Sequence, residues 1–299
     1  MRPILPKETQ TTDKPFPLVS VCIPVFNGER YVEQAISSVI GQGYPNLEIL
    51  LQDNASTDGT WTLLEKLARM HPIIAIERNL TNIGMAPNWN KVINRAKGDF
   101  VMLLSADDML EPGFLSACLA KFMSEDVDCV VVNHFILKNG KKLTPCRRAP
   151  EGIHQNMASL ILCKNPFSIN FSLFRRTVLD RLKECGSLFS NSNACDYDVW
   201  IRIACQGLRV RALSDRLGVY RVHETNLSKT AWKQHMHDTY IVLHRNRENL
   251  LKRCPFVYRF TLTRLALRVC RQTVSIRSLR YRGFDFALFK KYIEELMNS

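Results

Sequence analysis

Gly98-Asp99-Phe100-Val101-Met102-Leu103-Leu104-Ser105-Ala106-Asp107-Asp108-Met109-Leu110-Glu111-Pro112 is the stretch on which the fold turns. Phe100 to Leu104 is an unbroken apolar run, the composition of a strand buried in the middle of a parallel sheet. It leads to two adjacent carboxylates, Asp107 and Asp108, after which Pro112 is expected to bar immediate return to regular pairing. A buried strand that delivers two aspartates to its carboxyl end puts them where open α/β sheets bind ligands. Neighbouring negative charges repel, and stay ionised only beside a cation or hydrogen-bond donors. The pair therefore suits a divalent metal held beside an anion, most simply a nucleotide phosphate. A solvated turn that happens to contain Asp-Asp fits the stretch equally well.

Towards the N-terminus the pattern repeats. Leu18 to Pro24 is a short apolar strand, and apolar positions from Tyr31 to Ile40 recur at helical spacing over Glu29–Ile40. Leu47 to Leu51 is a second strand, running into a polar turn whose Ser56, Thr57 or Asp58 can cap a helix from Thr60 to Met70. Ile73 to Ile76 is a third strand, and a helix over Ala86–Arg95 leads back to Phe100. This βαβαβαβ alternation predicts an α/β fold with a parallel sheet. Asp53, Asn82 and the Asp107-Asp108 pair follow successive strands and would converge on one edge. That edge lacks both the Gly-x-Gly-x-x-Gly of a dinucleotide fold and the Gly-Lys-Ser/Thr of a P-loop.

Towards the C-terminus the spacing predicts a helix over Pro112–Met123 and a strand over Cys129–Leu137. Asn139-Gly140 then signals a hairpin, so the sheet becomes mixed. Ile153–Leu162 and Val178–Lys183 have helical patterns, with a short strand over Ser172–Arg176 between them. In Cys195-Asp196-Tyr197-Asp198-Val199-Trp200-Ile201-Arg202 the local pattern puts Asp196 at a helix N-cap, with Gly207 as terminator. Capping alone accounts for Asp196 as well as a chemical role does. Asp198 and Arg202 read as a structural pair on that helix. Val210–Leu213 and Leu217–His223 are expected to complete the sheet as separate strands.

The chain has 299 residues, 46% hydrophobic and 23% charged, room for one large α/β domain with an appendage. No apolar run approaches a bilayer's thickness, and the polar opening, residues 1–17, reads as a flexible lead rather than a secretory signal. The ten cysteines are scattered without a zinc-type pair, so reduced thiols and a cytoplasmic location are expected. The net charge of +13 calls for an anionic partner.

Taken in order, Val19 to Gly28, Asp53 to Thr60, Asn82-Ile83-Gly84, Ser105 to Asp108 and Asp196 to Arg202 resemble the motif set of the family 2 inverting glycosyltransferases. The resemblance implies a GT-A fold, a Rossmann-like mixed sheet flanked by helices, over residues 18–230. Residues 18–110 would form the nucleotide half and 111–230 the acceptor half. It implies that Pro24, Phe26 and Glu29 line a nucleotide-sugar pocket with Asn82 and Gly84, and that Asp53 bonds the base of a UDP- or TDP-type donor. Asp107 would lie near the ribose. Asp108 would hold the Mg²⁺ or Mn²⁺ that bridges the diphosphate, His223 would complete the metal or phosphate site, and Asp196 would be the catalytic base. A histidine at 223 is equally an ordinary core or surface residue. The family often has Glu where this chain has Cys195, and a further Asp where it has Ser105. The acceptor would be a saccharide, free or lipid-linked, used in building a cell-surface polysaccharide.

Residues 231–299 lie outside the resemblance and read as a basic helical extension. From Arg245 to Arg282 eleven basic residues face one acid, Glu248. Leu262, Leu265, Val269 and Ile276 share one helical face while Arg264, Arg268 and Arg271 fall on another. Such a helix suits an anionic membrane surface, which would make the enzyme peripheral on the inner face of the cytoplasmic membrane. A helix packed on the catalytic domain with a solvated basic side is the alternative. No nucleic-acid-binding signature accompanies the charge. The competing functions are a sugar nucleotidyltransferase, which would want a basic Gly-rich loop after the first strand, and a non-catalytic scaffold with a GT-A shell.

Overall fold

The computed structural model describes residues 16–144, 149–184, 186–224, 226, 232–273 and 294. The expected lead thus falls outside the described residues except for Phe16 and Pro17, as do Ile276 and the basic residues from Arg277 to Arg282. Strands β1 (Val19–Val25), β2 (Leu47–Asp53), β3 (Ile74–Arg78) and β4 (Phe100–Leu103) alternate with α1 (Val32–Ile40), α2 (Thr60–Met70) and α3 (Met85–Asn94). All neighbouring strands in this half are parallel, in the order β3-β2-β1-β4.

After β4 come β5 (Met109–Leu110), α4 (Phe114–Ser124), β6 (Cys129–Lys138), β7 (Lys141–Leu143), β8 (Gly152–His154), α5 (Ala158–Lys164), a 3-10 turn at Ile169–Phe171, and β9 (Ser172–Arg175). They are followed by α6 (Arg176–Lys183), α7 (Cys195–Gln206) and β10 (Val210–Val222). The sheet continues past β4 as β9-β6-β10-β5, with β7 on β6 and β8 on β10. β4 is therefore not in the middle of a parallel sheet: it pairs parallel with β1 and antiparallel with β9. It is the seam between the two halves, and both of its faces are buried.

Four expectations are corrected. Pro112 does not keep the chain from pairing, because Met109 and Leu110 pair with Val219 and Gly218 before it is reached. Gly218, at that pairing, leaves no room for a side chain, because a Cβ there would lie 2.4 Å from the Phe171 ring. The segment from Ile153 begins as β8, paired with Val210–Ala212, and becomes helical only at Ala158; the apolar residues Ile153, Met157 and Ile161 share a helical spacing by coincidence. The two strands expected from Val210 to His223 are one strand, bent by register shifts around Arg216. The N-cap of α7 is Ala194, and Asp196 stands inside the first turn. The other local signals are present: Asn139 (φ 50°) and Gly140 (φ 74°) turn the β6–β7 hairpin, and Gly207 (φ 68°) ends α7 in the left-handed region.

Alternation along the strands divides the core in two. Val19, Val21 and Ile23 of β1 pack with α1, α2 and α4 on one face, while Cys22 packs with α3, α5, α6 and α7 on the other. The second face also receives three C-terminal helices, α8 (Trp232–Arg245), α9 (Arg247–Arg253) and α10 (Pro255–Thr273). Val242, Leu243, Leu250, Tyr258 and Leu262 are buried in the same apolar cluster as Trp200 of α7. A side chain of that size contributes about 1.5–3 kcal/mol when fully buried, so this segment shares the core of the sheet. No described helix is long and apolar enough to cross a membrane, and Cys22, Cys118, Cys129, Cys163, Cys195, Cys205 and Cys254 are free thiols.

Candidate active site

The carboxyl ends of β1, β2 and β4 deliver two clusters to one edge of the sheet. In the first, the loop after β1 is stitched to the loop after β2. Asn27, held at φ 50°, accepts from the Thr57 N–H at 2.8 Å and donates its own N–H to Ser56 Oγ at 2.9 Å. The Gly28 N–H donates to Thr60 Oγ1 at 2.8 Å, and the Glu29 carboxylate accepts from the Gly59 N–H at 3.0 Å. Pro24 is buried beneath this loop, while Phe26 is 49% exposed above it.

Asp53 lies at the floor, fully buried. It accepts from the hydroxyl and N–H of Ser56 and pairs with Arg78 Nε at 3.0 Å. Beside it the Asn54 amide donates to Asn82 Oδ1 at 2.8 Å and to the Gly84 carbonyl at 3.2 Å, so Asn82 and Gly84 are tied to the end of β2. Asn79 and Asn88 extend this buried amide network, in which every distance is at or below 3.2 Å. A network satisfied in this way holds its loops in one arrangement.

The second cluster joins the end of β4 to the end of β10. His223 Nε2 lies 2.8 Å from Asp107 Oδ2, with side-chain exposures of 18% and 27%. Asp108 is fully buried: Oδ2 accepts from the Asn170 amide at 2.8 Å and Oδ1 from the Arg221 N–H at 3.0 Å. Burial, and after it the charge of Asp107, pushes the Asp108 carboxyl well above the usual range. The carboxylate turned towards solvent is thus that of Asp107, with Asp108 beneath it.

Arg221 fastens this arrangement. Its Nε donates to the Asp107 carbonyl at 2.9 Å, its terminal nitrogen donates to Gln34 Oε1 at 2.6 Å, and its guanidinium lies 4.7 Å over the Tyr31 ring. Tyr31 in turn stacks on His223, with ring centroids 5.0 Å apart. Gly28 joins the two clusters, because a Cβ there would lie 3.7 Å from Ala106. Tyr31, Asn170, Arg221 and Asn226 carry no motif signal of their own. Only the run Tyr220-Arg221-Val222-His223, one strand end with a base beside a histidine, points to any of them.

Asp196 stands in the first turn of α7, partly exposed, and its Oδ1 accepts from the Tyr197 N–H at 2.8 Å. Just before it, the segment Asn191–Asn193 faces Met85 and Ala86 of α3 and Asp238 of α8 across a polar cleft of about 190 Å³. Asn193 donates to Asp238 at 2.7 Å, and Asn90 exchanges two hydrogen bonds with the backbone of Phe189. These ties hold the start of α7 beside the start of α3, at the same edge as Asn82 and Gly84. Cys195, where a Glu is frequent in the resembling family, is buried; burial pushes its thiol up, so it packs as an apolar residue. Asp198 is structural, paired with Arg202 at 3.3 Å and hydrogen-bonded to Asn246 at 3.0 Å.

The Asp107–His223 pair fits a divalent cation. It offers a hard carboxylate oxygen and an imidazole nitrogen, a set that suits Mn²⁺ or Mg²⁺ when phosphate and water complete the shell. Among the described residues no group of three or more His, Cys, Asp or Glu side chains is gathered around an ion position.

The same architecture occurs in Staphylococcus aureus TarS (residues 1–349), solved in complex with UDP-GlcNAc: TM-score 0.69 at 19% identity, over 94% of this chain and 81% of that one. The mannosyltransferase PcManGT from Pyrobaculum calidifontis, solved with GDP-Man and Mn²⁺, gives a TM-score of 0.60 at 20% identity, over 94% and 84% of the two chains. At these identities the likeness is one of fold, and the fold is that of the GT-A glycosyltransferases. In sequence the chain is 26% identical over 223 residues to the putative teichuronic acid biosynthesis glycosyltransferase TuaG of Bacillus subtilis, covering 73% of this chain and 84% of that protein. It is 28% identical over 217 residues to the Escherichia coli UDP-Glc:alpha-D-GlcNAc-diphosphoundecaprenol beta-1,3-glucosyltransferase WfaP, covering 73% and 82%. It is also 28% identical over 201 residues to the Escherichia coli chondroitin synthase, but spans only 28% of that protein's length. Residues 20–183, more than half of the chain, match the profile of Glycosyl transferase family 2, and the chain belongs to that family of glycosyltransferases.

Proposed function

We propose that the chain transfers a sugar, with inversion, from a nucleoside-diphosphate sugar to a hydroxyl of a saccharide acceptor, free or lipid-linked, in cell-surface polysaccharide synthesis. The observation that carries this reading is the meeting of Asp107, Asp108 and His223 at the end of β4, from positions over a hundred residues apart. Residues 18–110 hold the nucleotide in it, with the base against Phe26 and Pro24 and the loop braced by Asp53, Glu29, Asn82 and Gly84. Asp107 lies nearest the ribose and diphosphate and, with His223, would hold the cation; Asp108, enclosed by Asn170 and the Arg221 N–H, supports Asp107 from beneath. A cation held there would supply positive charge to the departing nucleoside diphosphate.

Asp196 accepts the proton of the acceptor hydroxyl as its oxygen forms a bond to the anomeric carbon. The bond from that carbon to the diphosphate oxygen breaks, and its electron pair leaves with the nucleotide. No covalent enzyme intermediate is needed. The acceptor enters from the side of residues 111–230. The basic C-terminal segment holds the enzyme at the anionic inner face of the cytoplasmic membrane, where a lipid-linked acceptor would lie. WfaP, whose name specifies a diphosphoundecaprenol-linked acceptor, is a precedent for such chemistry in a relative. The test is a screen of nucleotide sugars for thermal stabilisation and turnover with Mn²⁺ or Mg²⁺. Stabilisation by at least one donor in the presence of the cation, with turnover lost in Asp196→Ala, is the expected result. Failure of every donor to bind would overturn it.

A further inference from the structure

We infer that the outward face of α10, with Phe256 and Phe260 at its centre, is the surface that docks on anionic lipid. Phe256 is 83% exposed and Phe260 57% exposed. They stand one turn apart on the same helix, the spacing that puts two side chains on one face. Among the described residues they are the only two exposed aromatics that share a helix. The Arg264 guanidinium lies 5.8 Å over the Phe260 ring while donating to the Cys163 carbonyl at 3.0 Å; Arg259 on the same helix and Lys252 just before it are exposed, and the Arg253 guanidinium donates to the Cys205 carbonyl at 2.7 Å.

The opposite face of α10 is already used. Tyr258 and Leu262 are fully buried, Leu265 nearly so, and Thr261 Oγ1 donates to the Leu162 carbonyl of α5 at 3.3 Å. The helix is thus fixed to the core with its aromatic, basic side turned out.

Charge and area together select the occupant. From Arg245 to Thr273 the sequence holds eight bases and one acid, Glu248, an excess complementary to a negatively charged surface. Two rings offer far less apolar area than the roughly 1,200–2,000 Å² of a specific protein interface. They are enough for shallow insertion at a headgroup boundary, with basic side chains reaching the phosphates around them. Tyr197, the residue after Asp196, packs against the same apolar cluster that holds Tyr258 and Leu262, so α7 and α10 share one core. This assignment rests on the peripheral-membrane reading above and names the face that carries it.

The test is co-sedimentation of the full chain with phosphatidylcholine vesicles, with and without about one-third phosphatidylglycerol, before and after Phe256→Ser/Phe260→Ser. Unchanged circular dichroism and unchanged UDP binding show that the variant is folded. The parent chain should partition about tenfold or more better onto the anionic vesicles, and the double variant should lose about tenfold or more of that partitioning. A tryptophan at either position (Phe256→Trp or Phe260→Trp) should shift its emission to the blue on anionic vesicles and be quenched by brominated acyl chains. If the parent chain ignores anionic vesicles, both the assignment and the peripheral reading fall. If the parent chain binds and the double variant binds equally well, the peripheral reading stands and this face is wrong, whether or not the patch takes an acidic protein instead.

Discussion

Around Asp53 every tie joins neighbouring βα units: Asn27 to Ser56 and Thr57, Gly28 to Thr60, and Glu29 to Gly59, across 29 to 32 positions. Around Asp107 the ties run to the far end of β10, across 113 to 119 positions: Arg221 to Asp108 and Asp107, and His223 and Asn226 to Asp107. The first cluster can form as soon as two adjacent units pair. The second exists only once β10 has docked beside β5 and β6. The proposed nucleotide pocket, tied together locally, and the proposed cation site, tied together by the whole sheet, have different weak points. The first cluster depends on the two loops that form it, whereas the Asp107–His223 pair depends on the packing of β10 as well.

Substitutions separate the two clusters from each other and from Asp196. The largest effect is expected outside both: Asp196→Ala should lower kcat by about 10²–10⁴-fold while the donor dissociation constant stays within about threefold. Turnover assays alongside calorimetry read both quantities. Equal losses in both would move Asp196 into the binding site. Next, His223→Gln should weaken cation-dependent donor binding by about 10–100-fold. Arg78→Ala, in the other cluster, should leave the cation dependence intact.

Smaller effects probe how each cluster is supported. Gly218→Ala drives a Cβ to 2.4 Å from the Phe171 ring at the point where β10 meets β5. It should cost about 1–3 kcal/mol by denaturant unfolding and weaken cation-linked binding as well. Gly59→Ala first meets the Glu29 carboxylate, at 2.3 Å, the movable end of an exposed side chain. Its cost should stay within about 0.5 kcal/mol. A larger loss at Gly59 than at Gly218 would reverse the contrast between the two clusters.

The same contrast decides what could be read from the residues. The parallel half was legible because each strand and helix carries its own apolar period, and Asp53, Asn82 and Asp107-Asp108 all follow strands. The hairpin at Asn139-Gly140 and the stop at Gly207 were legible because a left-handed backbone needs those residues. Lost were features set by contacts distant in sequence. β4 gains an antiparallel neighbour in β9, Met109–Leu110 pairs with Val219 and Gly218, and β8 wears a helix-like apolar spacing. Asp107 and Asp108 are adjacent in sequence and opposite in environment, one partly open and one fully buried. Nothing local separates them, because Asn170 and the Arg221 N–H, which enclose Asp108, come from elsewhere. Tyr31 reads as an apolar helix position until His223 and Arg221 are seen on its two sides.

The account stands most directly on a calorimetric titration of UDP into the intact chain with Mn²⁺ and again with a chelator, repeated for Asp107→Asn. The parent chain should bind UDP about tenfold or more tightly with the cation present, and Asp107→Asn should bind with the same weaker affinity in both conditions. UDP affinity in the parent chain that is indifferent to the cation, or a cation effect retained in full by Asp107→Asn, would contradict it.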